Sequence, residues 1–199
     1  MYYQMGFGMM TPGVKNLLFA NIAVFLVQML APGLVPIYYF GLVPVLVIKK
    51  LFIWQLVTYM FLHGGFGHIF FNMFALWMFG VELERTWGTR EFLKFYFLTG
   101  IAAGISMVVF NWGSMVPTIG ASGAIYGILA AYALFFPDRY VYLYFLFPIK
   151  MKYLALILGG LEFLSSYSQD GIAHIFSRTC SENADLFLSR KAQVLNPIT

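Results

Sequence analysis

Residues 67–77 read Gly-His-Ile-Phe-Phe-Asn-Met-Phe-Ala-Leu-Trp, an apolar run interrupted only by His68 and Asn72. Residues four apart lie on one face of a helix, one turn from each other. Because polar side chains are expensive inside a bilayer, they are candidates for function there. The stretch therefore predicts a membrane-spanning helix with one polar face. Both side chains can donate hydrogen bonds, and they are candidates for holding the oxyanion of a tetrahedral intermediate. The alternative is a polar pair that joins neighbouring helices.

The composition of the chain also indicates a membrane protein. Of the 199 residues, 61% are hydrophobic and 10% are charged, and the mean hydropathy is +0.79. A soluble domain is about half apolar and about a quarter charged. The length allows about five or six spans of ~20 residues with short loops, in one domain. A net charge of +4 is too small and too scattered to indicate nucleic-acid binding.

The apolar runs predict an all-α polytopic protein whose last helix is incomplete. The predicted spans are residues 16–35, 68–83, 92–110, 122–136 and 152–164, with a sixth beginning at Gly171. A further apolar run, residues 51–62, is too short for a span. Since glycines follow it, we expect a re-entrant or interfacial element. Irregular backbone at that depth is stable only when protein or a water-filled cavity covers it.

The basic residues predict the orientation of the spans. Two links each carry three of them, the link after the second span (Arg85, Arg90, Lys94) and the link after the fourth (Arg139, Lys150, Lys152). The link at residues 111–118 carries no charge. The positive-inside rule then gives a cytoplasmic amino terminus, although Lys49 and Lys50 fall on the outer side in this scheme. The short loops favour a prokaryotic inner membrane.

A second polar candidate is Ser122, in the sequence Gly-Ala-Ser-Gly-Ala-Ile-Tyr-Gly of residues 120–127. The small residues around it would let an extended peptide reach the hydroxyl. The Ser122 amide, at a helix start, has no helical partner and could be a further oxyanion donor. The alternative is a glycine-rich face for helix packing with an incidental serine.

A serine nucleophile needs a base, and His174 is the best candidate. It follows Asp170 by one turn in the last apolar segment, and the alternative is an interfacial histidine in a loop. A metal site is not expected, because His63 and His68 are five apart and share no helical face. The single cysteine, Cys180, cannot form an internal disulfide.

These motifs, in this order, resemble the rhomboid family of intramembrane serine proteases. The resemblance rests on Gly-x-Ser-Gly opening a membrane helix, a His-x-x-x-Asn helix before it and an Ala-His segment after it. It implies a six-helix bundle, a catalytic dyad of Ser122 and His174, and an oxyanion site of His68, Asn72 and the Ser122 amide. It implies single-span membrane proteins as substrates and no metal or organic cofactor. The supporting residues that match the family pattern are His63, Gly120, Gly123, Tyr126, Glu84 and Gly88.

The chain departs from the family pattern in two places. Trp54 is followed by Gln55 where the family usually has arginine, a change we expect to matter little. The second departure follows His174, where Arg178, Glu182 and Asp185 fall at hydrocarbon depth. Each such charge costs about 2.5–3.5 kcal/mol at a helix centre.

We therefore divide the chain into a rhomboid-like membrane domain, residues 1–176, and an atypical polar tail, residues 177–199. Our hypothesis is that the tail is a frame-shifted or truncated product of a longer gene. In family members with two histidines here, the second is catalytic, so His174 is either the base or the non-catalytic first histidine. The alternatives to a protease are an inactive rhomboid-like protein that binds membrane proteins, and an unrelated transporter or structural membrane protein.

Overall fold

The computed structural model describes residues 10–143, 147–151, 153 and 157, which are mostly helical. The helices are α1 (Pro12–Leu30), α2 (Ile37–Phe40), α3 (Pro44–Lys50), α4 (Gln55–Thr58), α5 (Phe66–Ala75), α6 (Val81–Trp87), α7 (Thr89–Phe110) and α8 (Ser122–Phe135). Two 3₁₀ turns, Pro32–Leu34 and Tyr59–Phe61, and a π-helical segment, Leu76–Gly80, lie between them. Two short antiparallel strands follow, β1 (Tyr140–Leu143) and β2 (Phe147–Lys150).

Within this described part, three helical stretches are long and apolar enough to cross a membrane, and α8 is a shorter apolar helix. The three are Pro12–Leu30, Phe66–Trp87 and Thr89–Phe110. They and α8 correspond to the first four predicted spans, so the all-α membrane architecture is confirmed. α1 lies earlier in the sequence than predicted: Pro12 starts it, and Pro32 and Gly33 follow its end. The predicted fifth and sixth spans lie almost entirely outside the described residues.

The second span is continuous, but its middle turn is not α-helical. α5 and α6 are joined by the π-helical segment Leu76–Gly80, which holds one residue more than an α-turn would. Asn72 before this segment and Glu84 after it are both buried. The wide turn therefore rotates α6 relative to α5, and this rotation determines which residues of α6 face the other helices.

The segment that connects α1 to α5, residues 31–65, consists of short helices and turns, and residues 51–62 form no membrane-spanning helix, as the sequence predicts. Gln55 holds it together from a fully buried position. Its Oε1 accepts from the amide of Val43 at 3.0 Å, and its Nε2 donates to the carbonyl of Tyr38 at 2.9 Å. Backbone hydrogen bonds between Leu42 and Thr118 then join this segment to the loop before α8. The position after Trp54 is thus a structural anchor that glutamine fills, and the expectation that the change from arginine matters little stays a prediction.

A buried carboxylate fixes the opposite end of the helices, which we call the Glu84 end. Glu84 accepts hydrogen bonds from the amides of Gly13 and Val14 at 2.7 and 2.8 Å. It also accepts from the hydroxyls of Thr11 and Thr89 at 2.5 and 2.7 Å. One side chain therefore binds the starts of both α1 and α7. Gly88, which ends α6 at a φ of +82°, has a backbone conformation that favours glycine.

Glycines let α8 pack closely on α7. A Cβ added at Gly123 would lie 2.6 Å from Cβ of Ala103 and 3.3 Å from the hydroxyl of Tyr59. A Cβ added at Gly127 would lie 2.6 Å from Cβ of Thr99. Real Cβ atoms are not found at such distances, so these two glycines are required by packing. The glycine-rich packing face that the sequence suggested is present.

The chain beyond α8 is tied back to the Glu84 end. The hydroxyl of Tyr132 donates to Glu82 at 2.5 Å, and the guanidinium of Arg139 binds the same carboxylate at 2.6 Å. The hairpin of β1 and β2 follows, with Lys150 bound to Asp138 at 3.3 Å. Hydropathy assigned residues 137–151 to a simple link, so this hairpin is a feature that the sequence did not predict.

Candidate functional site

Ser122 is the first residue of α8 and lies at the end of the molecule opposite Glu84. The amides of a first helical turn have no partner within the helix. In the part of the chain that the structure describes, neither the hydroxyl nor the amide of Ser122 is hydrogen-bonded. Among the described residues, therefore, no hydrogen-bond partner occupies either group.

The backbone before Ser122 is shaped to receive a histidine ring. Gly120 has a φ of +125°, which favours glycine, and its amide donates to the carbonyl of Tyr59 at 2.9 Å. A Cβ at residue 120 would lie 2.7 Å from Cε1 and Nε2 of His68, and 3.9 Å from the amide nitrogen of Ser122. The Nε2 edge of His68 therefore faces the backbone that leads into Ser122. The two sequence motifs therefore come close to each other at Gly120, and the roles expected of His68 and Ser122 stay predictions.

The other ring nitrogen of His68 is occupied. The amide of Gly64 donates to Nδ1 at 3.3 Å. The imidazole is exposed, and within the described residues Nε2 has no hydrogen-bond partner. An imidazole whose Nδ1 is an acceptor can offer its Nε2 proton to an oxygen beside Ser122.

Asn72 lies one turn after His68 and is buried. Its side-chain amide donates to the backbone carbonyl of His68 at 2.9 Å, within the same helix. A side chain that joined two helices would bind the neighbouring one, and no such bond involves Asn72 among the described residues. The second N–H of the amide remains available for a ligand.

His63 packs its ring against that of His68. The ring centroids are 5.1 Å apart in an edge-to-face arrangement, and His63 is buried. The carbonyl of Phe61 lies near the ring, but neither ring nitrogen makes a hydrogen bond of acceptable geometry within the described part of the chain. No group of three or more His, Cys, Asp or Glu side chains that could hold a metal occurs there either. The two rings thus form a packed pair, of which the His63 ring is buried and the His68 ring faces Gly120.

The remaining predicted site residues divide into three groups. Gly123 serves packing, and Tyr126 is half-buried one turn after Ser122. Glu84 and Gly88 form the structural junction at the far end of the bundle. His174, the predicted base, lies outside the described residues, as does Asp170.

Two residues near the site were missed in the sequence. Tyr59 donates its hydroxyl to the carbonyl of Gly100 at 2.7 Å and holds Gly120 through its own carbonyl. Gln28, in the last turn of α1, binds the backbone of His63. The signal for Gln28 was available, because it is a polar side chain in a predicted span and such residues are rarely incidental.

Comparison with known proteins identifies relatives over much of the chain. A family model described as the rhomboid domain matches residues 50–179. Over 78 residues the chain is 45% identical to rhomboid protease GluP of Bacillus subtilis (strain 168). The matched stretch is 39% of this chain and 15% of that protein. Over 79 residues it is 39% identical to the putative rhomboid protease YdcA of the same organism, covering 40% of this chain and 39% of that protein.

A plant relative is named as inactive. The chain is 32% identical over 79 residues to inactive RHOMBOID-like protein 8 of Arabidopsis thaliana, covering 40% of this chain and 22% of that protein. In each of these three proteins the matched stretch is well under two thirds of the relative's length. The family match begins at residue 50, so α1 precedes it.

Proposed function

The chain belongs to the rhomboid family, and we propose that it is an intramembrane serine endopeptidase with Ser122 as its nucleophile. The observation that carries the proposal is the meeting of His68 and Ser122 across Gly120. At that point an imidazole edge faces the backbone that leads into Ser122, whose helix-start amide makes no hydrogen bond to the described residues. Donors placed beside a nucleophile are what acyl transfer requires, since charge develops on the carbonyl oxygen in the transition state.

The reaction would proceed through a tetrahedral intermediate. His174 takes the proton of the Ser122 hydroxyl as Oγ bonds to the substrate carbonyl carbon. The oxygen that gains negative charge accepts hydrogen bonds from His68 Nε2, from Asn72 and from the Ser122 amide. The intermediate then collapses, and the leaving amine receives its proton from His174. Water attacks the resulting ester by the same route in reverse and frees the serine.

The substrates we propose are membrane proteins with a single span. The Ser122 end of the bundle lies opposite the Glu84 end, where Arg85, Arg90 and Arg139 are found. If these cations face the cytoplasm, the amino terminus is cytoplasmic and the site opens toward the outer side of a prokaryotic inner membrane. A substrate helix must unwind to present its peptide bond, so small or helix-breaking residues near the cut are expected.

The second candidate function is a rhomboid-like protein that binds membrane proteins without cutting them. Two observations favour it. A relative is named as inactive, and His174 is followed by polar and charged residues rather than by an apolar helix. In this alternative the His68 and Ser122 arrangement would be retained while the base is absent.

Labelling with a serine-directed fluorophosphonate or isocoumarin probe tests the two candidates. The full chain is labelled in detergent, alongside Ser122→Ala, His174→Ala and the control Ser106→Ala. The Ser106 hydroxyl bonds the carbonyl of Ala102 within its own helix and is exposed, so the control should label like the original chain. We expect labelling to be lost in Ser122→Ala and in His174→Ala.

Each other result has a definite meaning. Labelling that survives His174→Ala but not Ser122→Ala removes His174 from the role of base and retains the serine. A folded chain that is not labelled, and does not cleave a single-span reporter protein in liposomes, contradicts the protease proposal and supports the binding function.

A further inference from the structure

The side chain of Gln28, in the first helix, is hydrogen-bonded to the backbone beside the His68 ring. Gln28 Oε1 accepts from the amide of His63 at 3.1 Å, and Gln28 Nε2 faces the carbonyl of the same residue at 3.5 Å, the limit of a hydrogen bond. A glutamine amide can satisfy both backbone groups of one residue, and this is what Gln28 does here. Because 35 residues separate the two, the contact fixes the loop before α5 to the end of α1.

The next residue in that loop sets the chemistry of His68. The amide of Gly64 donates to Nδ1 of the ring at 3.3 Å. A backbone N–H can be accepted only by a ring nitrogen that carries no proton, so the ring proton of neutral His68 lies on Nε2. Nε2 is the atom that faces Gly120 and the start of α8. If the loop moved, Nδ1 would lose its donor and the ring would be free to change tautomer and orientation.

The neighbouring side chain does not supply this constraint. The His63 ring packs edge-on against His68, but within the described residues it makes no hydrogen bond through either nitrogen. The backbone of residues 63 and 64 is therefore the part of this loop that determines the tautomer. Gln28 is the side chain that holds that backbone from outside the loop.

We propose that Gln28 is a positioning residue for the oxyanion site. Its hydrogen bonds to the His63 backbone keep the Gly64 amide bonded to Nδ1 of His68. The proton of the neutral His68 ring therefore stays on Nε2. The use of that proton on a substrate oxyanion rests on the proposed protease function. The tautomer and its dependence on Gln28 do not, and they are measurable in a chain that has no activity.

The experiment is nitrogen NMR of the full chain with labelled histidine in lipid nanodiscs, together with turnover of a single-span reporter. His68→Gln assigns the His68 resonances. We expect an unprotonated Nδ1 and a protonated Nε2 in the original chain. Gln28→Leu, which keeps the side-chain volume and loses both contacts, should give a mixture of tautomers. Its kcat should fall about tenfold to a hundredfold with a smaller change in KM, since a displaced donor affects the transition state most.

Gln28→Glu is the conservative variant, because a carboxylate still accepts from the His63 amide and loses only the longer contact from Nε2 to the His63 carbonyl. It should restore the original tautomer and most of the turnover, and Ser106→Ala should change neither. Should Gln28→Leu fail to fold, the His68 tautomer in the original chain and in Gln28→Glu still tests the proposal, because a proton on Nδ1 in either one contradicts it. A proton on Nδ1 in the original chain, or a folded Gln28→Leu with unaltered His68 resonances, overturns the proposal. An inactive original chain with the expected tautomer contradicts the protease function alone.

Discussion

Gly120 leaves the space that the His68 ring fills: a Cβ at residue 120 would lie 2.7 Å from ring atoms Cε1 and Nε2. The two residues are 52 positions apart and belong to the two motifs that suggested a catalytic site. Their contact sets the distance between α5 and the start of α8. Most of the chemistry we propose depends on keeping that distance.

Gly120→Ala is expected to slow the reaction of Ser122 strongly. The new methyl group would displace the His68 ring, and a φ of +125° is unfavourable for alanine. We expect labelling of Ser122 by a fluorophosphonate to slow at least about tenfold, because a small displacement of a catalytic group has large effects on rate. The rate of labelling in detergent is the measurement.

Gly113→Ala is the matched control for this variant. Gly113 also has a positive φ, +86°, but a Cβ there would meet nothing within 4 Å. The Gly113→Ala variant therefore has a similarly unfavourable backbone conformation but no contact with His68. If both variants slow labelling equally, strain in the loop rather than displacement of the ring is responsible.

Asn72→Ala separates the oxyanion role from helix packing. Loss of one oxyanion donor lowers kcat by about a hundredfold to a thousandfold in enzymes of this chemistry. Loss of the hydrogen bond to the His68 carbonyl should cost only about 1 kcal/mol of unfolding free energy. Turnover of a reporter and unfolding in mixed micelles measure the two effects. Marked destabilisation with unchanged turnover per folded molecule would favour a purely structural role.

Glu84→Gln should destabilise the bundle. The carboxylate accepts from two amides and two hydroxyls, and an amide in its place turns one acceptor atom into a donor that faces other donors. Since hydrogen bonds to a charged group contribute about 1.5–3 kcal/mol each, we expect a loss of about 2 kcal/mol or more. The midpoint of unfolding by denaturing detergent is the readout.

Glu91→Gln provides the comparison for Glu84. Glu91 is exposed and binds only Lys94 among the described residues, three positions along the same helix. Its replacement should leave the unfolding midpoint unchanged. Equal shifts for the two variants would mean that charge in general, and not the junction at Glu84, affects stability.

A methyl exchange between Gly123 and Ala103 tests the packing of α8 on α7. Gly123→Ala alone places a Cβ 2.6 Å from that of Ala103, and such overpacking costs about 1–3 kcal/mol. Adding Ala103→Gly returns the methyl volume to its original amount, so most of the lost unfolding free energy should reappear in the double variant. Failure to recover stability would show that Gly123 is needed for its own backbone and not for its neighbour.

Sequence alone predicted the parts of this molecule that follow from periodicity and composition. The spacing of His68 and Asn72 and the small residues around Ser122 are local patterns, and the structure brings His68 and Ser122 together. The structural roles of Gln28 and Gln55 were not recognised, because their partners are backbone groups that become neighbours only after folding. The hairpin after α8 was missed because hydropathy locates spans and does not reveal that two four-residue strands within a link pair with each other.

The π-helical turn at Leu76–Gly80 sets the phase of the second span. In an ideal α-helix, Asn72 and Glu84 would point about 120° apart, since twelve residues at about 100° each make three turns and a third. One surplus residue in the wide turn reduces that divergence to about 20°, and both side chains are indeed buried. A single-codon deletion between Leu76 and Gly80 would thus restore an α-turn and keep both side chains on one side of the span. A single-codon insertion between Gly80 and Glu84 would instead swing the carboxylate toward the lipid and detach α1 and α7 from it, although every motif of the family would still be present in the gene.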